Sequence, residues 1–167
     1  MDHGPTRLRP RSDPAWAGWL GPYGIGVADD GYVYVNCWTG SKGVFRSTPD
    51  GSKIDFIADL GESVRGLCVT GSGINTMVYS LTNTGDLYKI TTADGSTYSS
   101  EKIFSPIVNA SVAATEDGNT IFTAGFGSAV QKWDAAGTED TEFVSPVTNA
   151  VAVTLNQKED ILYIDTT

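Results

Sequence analysis

A unit of about 43 residues is written repeatedly along this chain, and that repetition limits its fold more than any other feature. Arg46, Lys89 and Lys132 stand 43 residues apart, and so do Val44, Leu87 and Val130. A turn follows each time: Asp50-Gly51, Asp94-Gly95 and Ala136-Gly137. A second motif precedes each of these stretches. It reads GIGVADDGYVYV from Gly24, GLCVTGSGINTMVYS from Gly66 and ASVAATEDGNTIFT from Ala110, and a last copy, AVAVTLNQKEDILYI, starts at Ala150. The small residues Gly24, Gly66, Ala110 and Ala150 open the copies at spacings of 42, 44 and 40.

Repeats of about 40–45 residues with several strands each are the mark of β-propeller blades. Four strands fit the first unit. GIGVA alternates apolar residues, Asp30-Gly31 turns the chain, YVYVNCW and GVFRS follow, and a second Asp-Gly turn leads into KIDFIAD. The expected fold is all-β: a β-propeller arc of four-stranded antiparallel blades, three full blades plus a partial fourth. The blades fall at about 21–61, 64–106, 108–147 and 148–167. Residues 1–20 form an N-terminal tail in which an outer strand could lie over 15–20. Apolar residues on the third strand feed the packing between blades, since no blade can bury its core alone. Arg46, Lys89 and Lys132 are expected to face water.

Composition supports this reading and removes several functions. Hydrophobic residues make up 40% and charged residues 19%, enough apolar material for a packed core, and 19 glycines suit frequent turns. The net charge is −9. Setting aside Arg7, Arg9, Arg11, Asp2 and Asp13 of the tail leaves 8 basic and 18 acidic groups, a net of −10. Such a surface repels phosphate backbones, so no nucleic acid is expected as a partner. No apolar run reaches the ~18 residues of a membrane helix, and no apolar leader opens the chain. No membrane partner is expected, and the default location is cytoplasmic. Cys37 and Cys68 match neither a metal nor a redox spacing and read as small buried side chains.

Two stretches, Gly24–Val35 and Ala129–Gly137, carry a family pattern: G-I-x-V-x-x-D-G-x-V-Y-V, then x-V-x-K-W-D-x-x-G. The pattern resembles NHL-repeat propellers and the related SMP-30/gluconolactonase and streptogramin-lyase propellers. It extends over about 21–167. The resemblance implies a ring of about six or seven blades, of which this chain holds about three and a half. An arc leaves apolar faces and strand edges to be covered. The cover would be the remaining blades of a longer chain, a second copy of this chain in a dimer, or another partner.

The residue before each opening small residue is Tyr23, Arg65, Asn109 or Asn149. In a propeller the innermost strand lines the channel, so these four would meet at one mouth, where a protein or polar small-molecule ligand could bind. The gluconolactonase-like resemblance implies metal-binding Asn and Asp at this point. Asn109 and Asn149 match; Tyr23 and Arg65 do not. Glu62, close in sequence, could add a carboxylate for a calcium or magnesium ion. Arg65 alternatively suits an anion, and all four could simply satisfy backbone groups at the loop–strand junction.

Other chemistry is poorly provided for. The one histidine is His3, in the tail, so Ser-His-Asp, Cys-His and histidine–zinc centres are not expected. The lyase-type propellers that the pattern resembles rely on a histidine base, so lyase activity is not expected here. Asp29-Asp30-Gly31 and Glu116-Asp117-Gly118 read as hairpin turns rather than calcium loops, and Trp16, Trp19, Trp38 and Trp133 as packing residues. Two functions remain. The first is a non-enzymatic scaffold for binding or assembly, with no cofactor. The alternative is a metal-dependent hydrolase of the SMP-30/gluconolactonase type.

Overall fold

The computed structural model describes residues 19–106, 108–156 and 158–167. Thirteen strands in these residues form four antiparallel sheets, each a simple up-and-down meander. The first holds β1 (Trp19–Val27), β2 (Val33–Gly40), β3 (Gly43–Ser47) and β4 (Ile54–Asp59). The second holds β5 (Val64–Thr70), β6 (Met77–Thr82), β7 (Leu87–Thr92) and β8 (Tyr98–Phe104). The third has β9 (Ser111–Ala114), β10 (Thr120–Ala124) and β11 (Gln131–Asp134), and the last has β12 (Ala150–Leu155) and β13 (Leu162–Thr166). The strands β1, β5, β9 and β12 stand side by side as the innermost strand of each sheet. This is a partial β-propeller.

The expected outer strand over 15–20 falls mostly outside the described residues. Trp19 and Leu20 lie within β1 and pair with Gly40 and Thr39. The third blade departs from the four-stranded pattern. Its outer strand is reduced to one bridge between Trp133 and Glu139. Beyond it the chain turns, with the Phe143 amide donating to the Asp140 carbonyl, and the Ser145 hydroxyl accepts from the Val130 amide at 3.2 Å. Phe143 packs on Phe122 instead of continuing a ladder, and Pro146 has no amide to donate.

Three apolar clusters fill the three blade boundaries. Tyr34, Val44, Val64, Val78 and Ile90 join the first two blades. Tyr79, Leu81, Leu87, Val112, Ile121 and Trp133 join the next pair, and Phe122, Ala124, Val130, Ala150 and Val153 the last. Each strand alternates between a face toward the preceding blade and a face toward the following one. The small opening residues follow from this packing. A Cβ on Gly66 would stand 3.0 Å from Leu81 Cβ and 3.2 Å from the Ser111 backbone, where the next inner strand passes closely.

The basic row does not form a solvated stripe. Arg46 lies opposite Tyr34 and Asp55, Lys89 opposite Tyr79 and Glu101, and Lys132 opposite Phe122. All three sit on the face toward the following blade. Arg46 is buried, within 2.5 Å of the Gly95 carbonyl and 2.9 Å of the Tyr98 hydroxyl, both in the second blade, and 3.3 Å from Asp55. Its guanidinium also lies 4.8 Å from the Tyr32 ring centroid and 5.1 Å from that of Tyr98. Lys132 pairs with Asp140 at 2.8 Å. Period alone could not reveal this, because Tyr98 is 52 residues from Arg46.

Candidate functional site

Arg65 stands at the start of β5 and Asn109 just before β9, and both lean on the preceding blade, while Tyr23 lies midway along β1 and Asn149 directly precedes β12. The contact point is the last part of the second strand of that blade or the turn after it. Arg65 lies with its guanidinium 4.6 Å from the Trp38 ring centroid, and Trp38 lies within the second strand of the first blade, Val33–Gly40. The Asn109 amide donates to the Asn83 carbonyl at 2.9 Å. The Ala150 amide, next to Asn149, donates to the Ser128 carbonyl at 3.1 Å. Trp38, Asn83 and Phe126 occupy equivalent places in three successive blades; Arg65 meets the first and Asn109 the second, whereas Ala150 and Ser128 make the contact at the third boundary.

Two of these turns are linked through Arg65. Its guanidinium also lies 5.8 Å from the Phe126 ring centroid, and the Trp38 ring meets Tyr23 at 6.0 Å. Tyr23, Trp38, Arg65 and Phe126 therefore form a continuous shelf of rings around one cation. Tyr23 and Phe126 are exposed. The Arg65 Nε is buried and makes no hydrogen bond in the described structure. Arg65 can sit between two rings because it is the extra residue of a bulge in β5: Val64 pairs with Thr82 and Gly66 with Leu81, leaving Arg65 out of the ladder.

Glu62 and Asn109 meet the same turn. The Thr84 hydroxyl donates to the Glu62 carboxylate, and the adjacent Asn83 carbonyl receives the Asn109 amide. Asn149 is exposed, at the start of β12. The structure thus brings Tyr23 to Arg65 through Trp38, and Glu62 to Asn109 through residues 83 and 84. It gives no direct contact between the two pairs.

Sequence reasoning missed Asn36. Its Oδ1 accepts the Gly24 amide at 2.6 Å, and its Nδ2 donates to the carbonyls of Arg65 at 3.1 Å and Gly66 at 3.0 Å. The signal was a fully buried amide in a strand position that the next two blades fill with Leu81 and Ala124. The turn carboxylates are also committed to backbone and neighbouring side chains, Asp30 partly across the blade boundary, where it accepts from the Gly73 amide at 2.9 Å. Asp117 accepts from the Thr115 hydroxyl at 2.7 Å and the Asn119 amide at 2.9 Å, and Asp30 from the Tyr32 amide at 3.3 Å. These are hairpin turns, as expected.

A separate cavity of about 500 Å³ runs along the inner strands toward the hairpins that follow them. Leu67, Val69, Ser111 and Val153 line it, with Glu116 and Glu159 at its edge. The volume suits a small ligand, but none of the four opening residues lines it. Among the described residues no three His, Cys, Asp or Glu side chains form a metal-holding group, and no helix is long and apolar enough to cross a membrane.

Comparison with solved structures places the fold. The chain superposes on a gluconolactonase from Xanthomonas campestris with a TM-score of 0.67 at 19% identity, covering 87% of this chain and 54% of that one. It superposes on regucalcin, a calcium-binding protein from Agrobacterium tumefaciens, with a TM-score of 0.60 at 16% identity, covering 80% of this chain and 48% of that one. No protein-family description and no curated protein matches the sequence. The arc has the fold of SMP-30-like propellers and spans about half the length of these two proteins.

Proposed function

We propose that the chain supplies about half the ring of a metal-dependent hydrolase of the SMP-30/gluconolactonase type, acting on a lactone or a similar cyclic ester. The observation that carries this reading is the placement of Asn109 and Asn149. They open the neighbouring innermost strands β9 and β12 at one end of an arc whose fold is shared with a gluconolactonase and a calcium-binding protein.

The donor chemistry fits a hard divalent cation in kind. Asn109, Asn149 and Glu62 offer only oxygen, the preference of calcium and magnesium. The Asn109 Nδ2 is spent on the Asn83 carbonyl, which leaves its Oδ1 for a ligand. Three side chains fall short of the six to eight oxygens that calcium takes, so water, substrate and the rest of the ring would supply the others. When bound, such an ion polarises an ester carbonyl and lowers the pKa of a water. Within this chain, Arg65 and its ring shelf would hold the polar or anionic part of a substrate.

A second reading also has a specific observation behind it. Arg65 and Asn109 are both clamps on the preceding blade. Under that reading the chain is a non-enzymatic scaffold, and these residues hold blades in register.

Thermal melts of the purified chain in millimolar calcium or magnesium, with lactone hydrolysis followed in parallel, separate the two. The hydrolase reading expects a rise in Tm that Asn149→Ala removes. Identical melts with and without the ions, and no hydrolysis, would overturn it and leave the scaffold.

A further inference from the structure

Each blade boundary in the arc uses the same pair of surfaces, and the two ends of the arc expose one member of that pair each. On the face toward the following blade, the second strand places an aromatic ring: Tyr34 in the first blade, Tyr79 in the second and Phe122 in the third. These are 1%, 0% and 8% exposed. The equivalent ring in the last sheet is Tyr163, which lies opposite Thr154, away from the Leu162 and Ile164 side that packs on the third blade. Tyr163 is 55% exposed.

The other end shows the complementary half. Leu67 and Val69 of β5 pack into the cluster around Tyr34. Their counterparts in β1, 42 residues earlier, are Ile25 and Val27, and these are 69% and 59% exposed. Phe56 of β4 lies on the same face and is 44% exposed, whereas Val35 and Phe45 between them are 5% and 6% exposed. One end of the arc thus presents the aromatic half of a blade boundary, and the other presents the inner-strand part of the aliphatic half, Ile25 and Val27.

We infer that the occupant of both ends is a second copy of this chain, docked head to tail so that Tyr163 of each copy packs on Ile25 and Val27 of the other. Two features favour a second copy. The exposed halves complement each other within one chain, so a copy brings both at once. The arc spans 54% and 48% of the propellers it matches, so two copies supply about one ring. The contact runs head to tail, and it closes about a two-fold axis after two copies because the arc covers about half a turn. The copy also completes the mouth, where each chain contributes Tyr23, Arg65, Asn109 and Asn149 to only half the circumference. The inference stands whether or not the mouth binds a metal.

Light scattering behind a sizing column tests it on the whole chain. The expected species has twice the 17.7 kDa mass of one chain. The exposed-site variants Tyr163→Asp and Ile25→Asp should each halve that mass while leaving the far-ultraviolet circular dichroism spectrum unchanged. A wild-type monomer overturns the inference. So does a ladder of growing assemblies, which would mean that the contact never closes. A dimer that survives both substitutions also overturns it, because its interface would lie elsewhere.

Discussion

Asn36 and Gly66 are joined across the first blade boundary: the Asn36 amide donates to the Gly66 carbonyl at 3.0 Å. The same side chain holds Gly24 of its own blade at 2.6 Å and Arg65 of the next at 3.1 Å. One buried amide thus satisfies three backbone groups at the mouth. Asn36→Leu copies the residue used one blade later but strands those groups, and each buried orphan costs about 1–3 kcal/mol. We expect a loss of roughly 2–4 kcal/mol in urea unfolding. A loss below about 0.5 kcal/mol would show that the groups find other partners.

Arg46 should behave as a structural cation. Its side chain is 9% exposed and meets Gly95, Tyr98 and Asp55. Asp55 keeps Lys53 at 2.9 Å when Arg46 is removed, which softens the loss. Arg46→Met is expected to cost about 2–4 kcal/mol, toward the low side of breaking a buried pair. Arg46→Lys should recover only part of it, because a lysine lacks the planar fork and stacks less well on Tyr32 and Tyr98. Lys132→Met, at the equivalent but wetter site, should cost under about 1 kcal/mol.

Alkaline pH should loosen the second boundary. Burial pushes the Cys68 thiol up from 9.0 to about 11 and the Tyr79 hydroxyl up from 10.0 to about 12. Both groups are harder to ionise folded than unfolded. Their contribution is intact below the unfolded values and is lost as pH rises through about 11 and then 12. Cys68 should therefore react slowly with iodoacetamide at pH 8, with a rate profile rising near 11. A profile centred near 9 would contradict the burial.

Acid should act through the turns. The Thr48 hydroxyl and the Ser52 amide hold the Asp50 carboxylate down to about 2. The stability it lends is present above 3.8 and fades as pH falls toward 2. Asp50→Asn should flatten the acid limb of the stability profile, read from urea midpoints between pH 2 and 5, without moving the neutral value much.

Asn109 and Asn149 should separate under substitution. Asn109→Ala removes a bond to a backbone carbonyl and should cost about 1 kcal/mol even without metal. Asn149 is exposed, so Asn149→Ala should leave the apo protein as it was. If both bind calcium, a hundredfold excess over Kd raises the wild-type Tm by roughly 5–10 °C, and either alanine abolishes the rise.

The repeat period and the turn residues made the arc readable, because both are local: a 43-residue spacing and an Asp-Gly pair need no partner to be seen. What the residues face was harder to read. Arg46 and Lys132 match in spacing, but Arg46 is enclosed because the second blade supplies Tyr98 and Gly95 at its position. The third blade loses its outer strand because Phe143 turns inward and Ser145 takes the Val130 amide, a choice invisible in the period. At the mouth, the four opening residues were found by position. Their neighbours Trp38, Asn83 and Phe126 were not, because each belongs to a different blade from the residue it meets.

The shared geometry of the blade boundaries has a consequence for how such chains change over time. Each added blade covers one exposed face and presents another of the same kind. Nothing within a boundary counts how many have come before. A duplicated repeat can therefore enter the gene without inventing a new contact. The number of blades is limited by curvature, at the point where the last face meets the first.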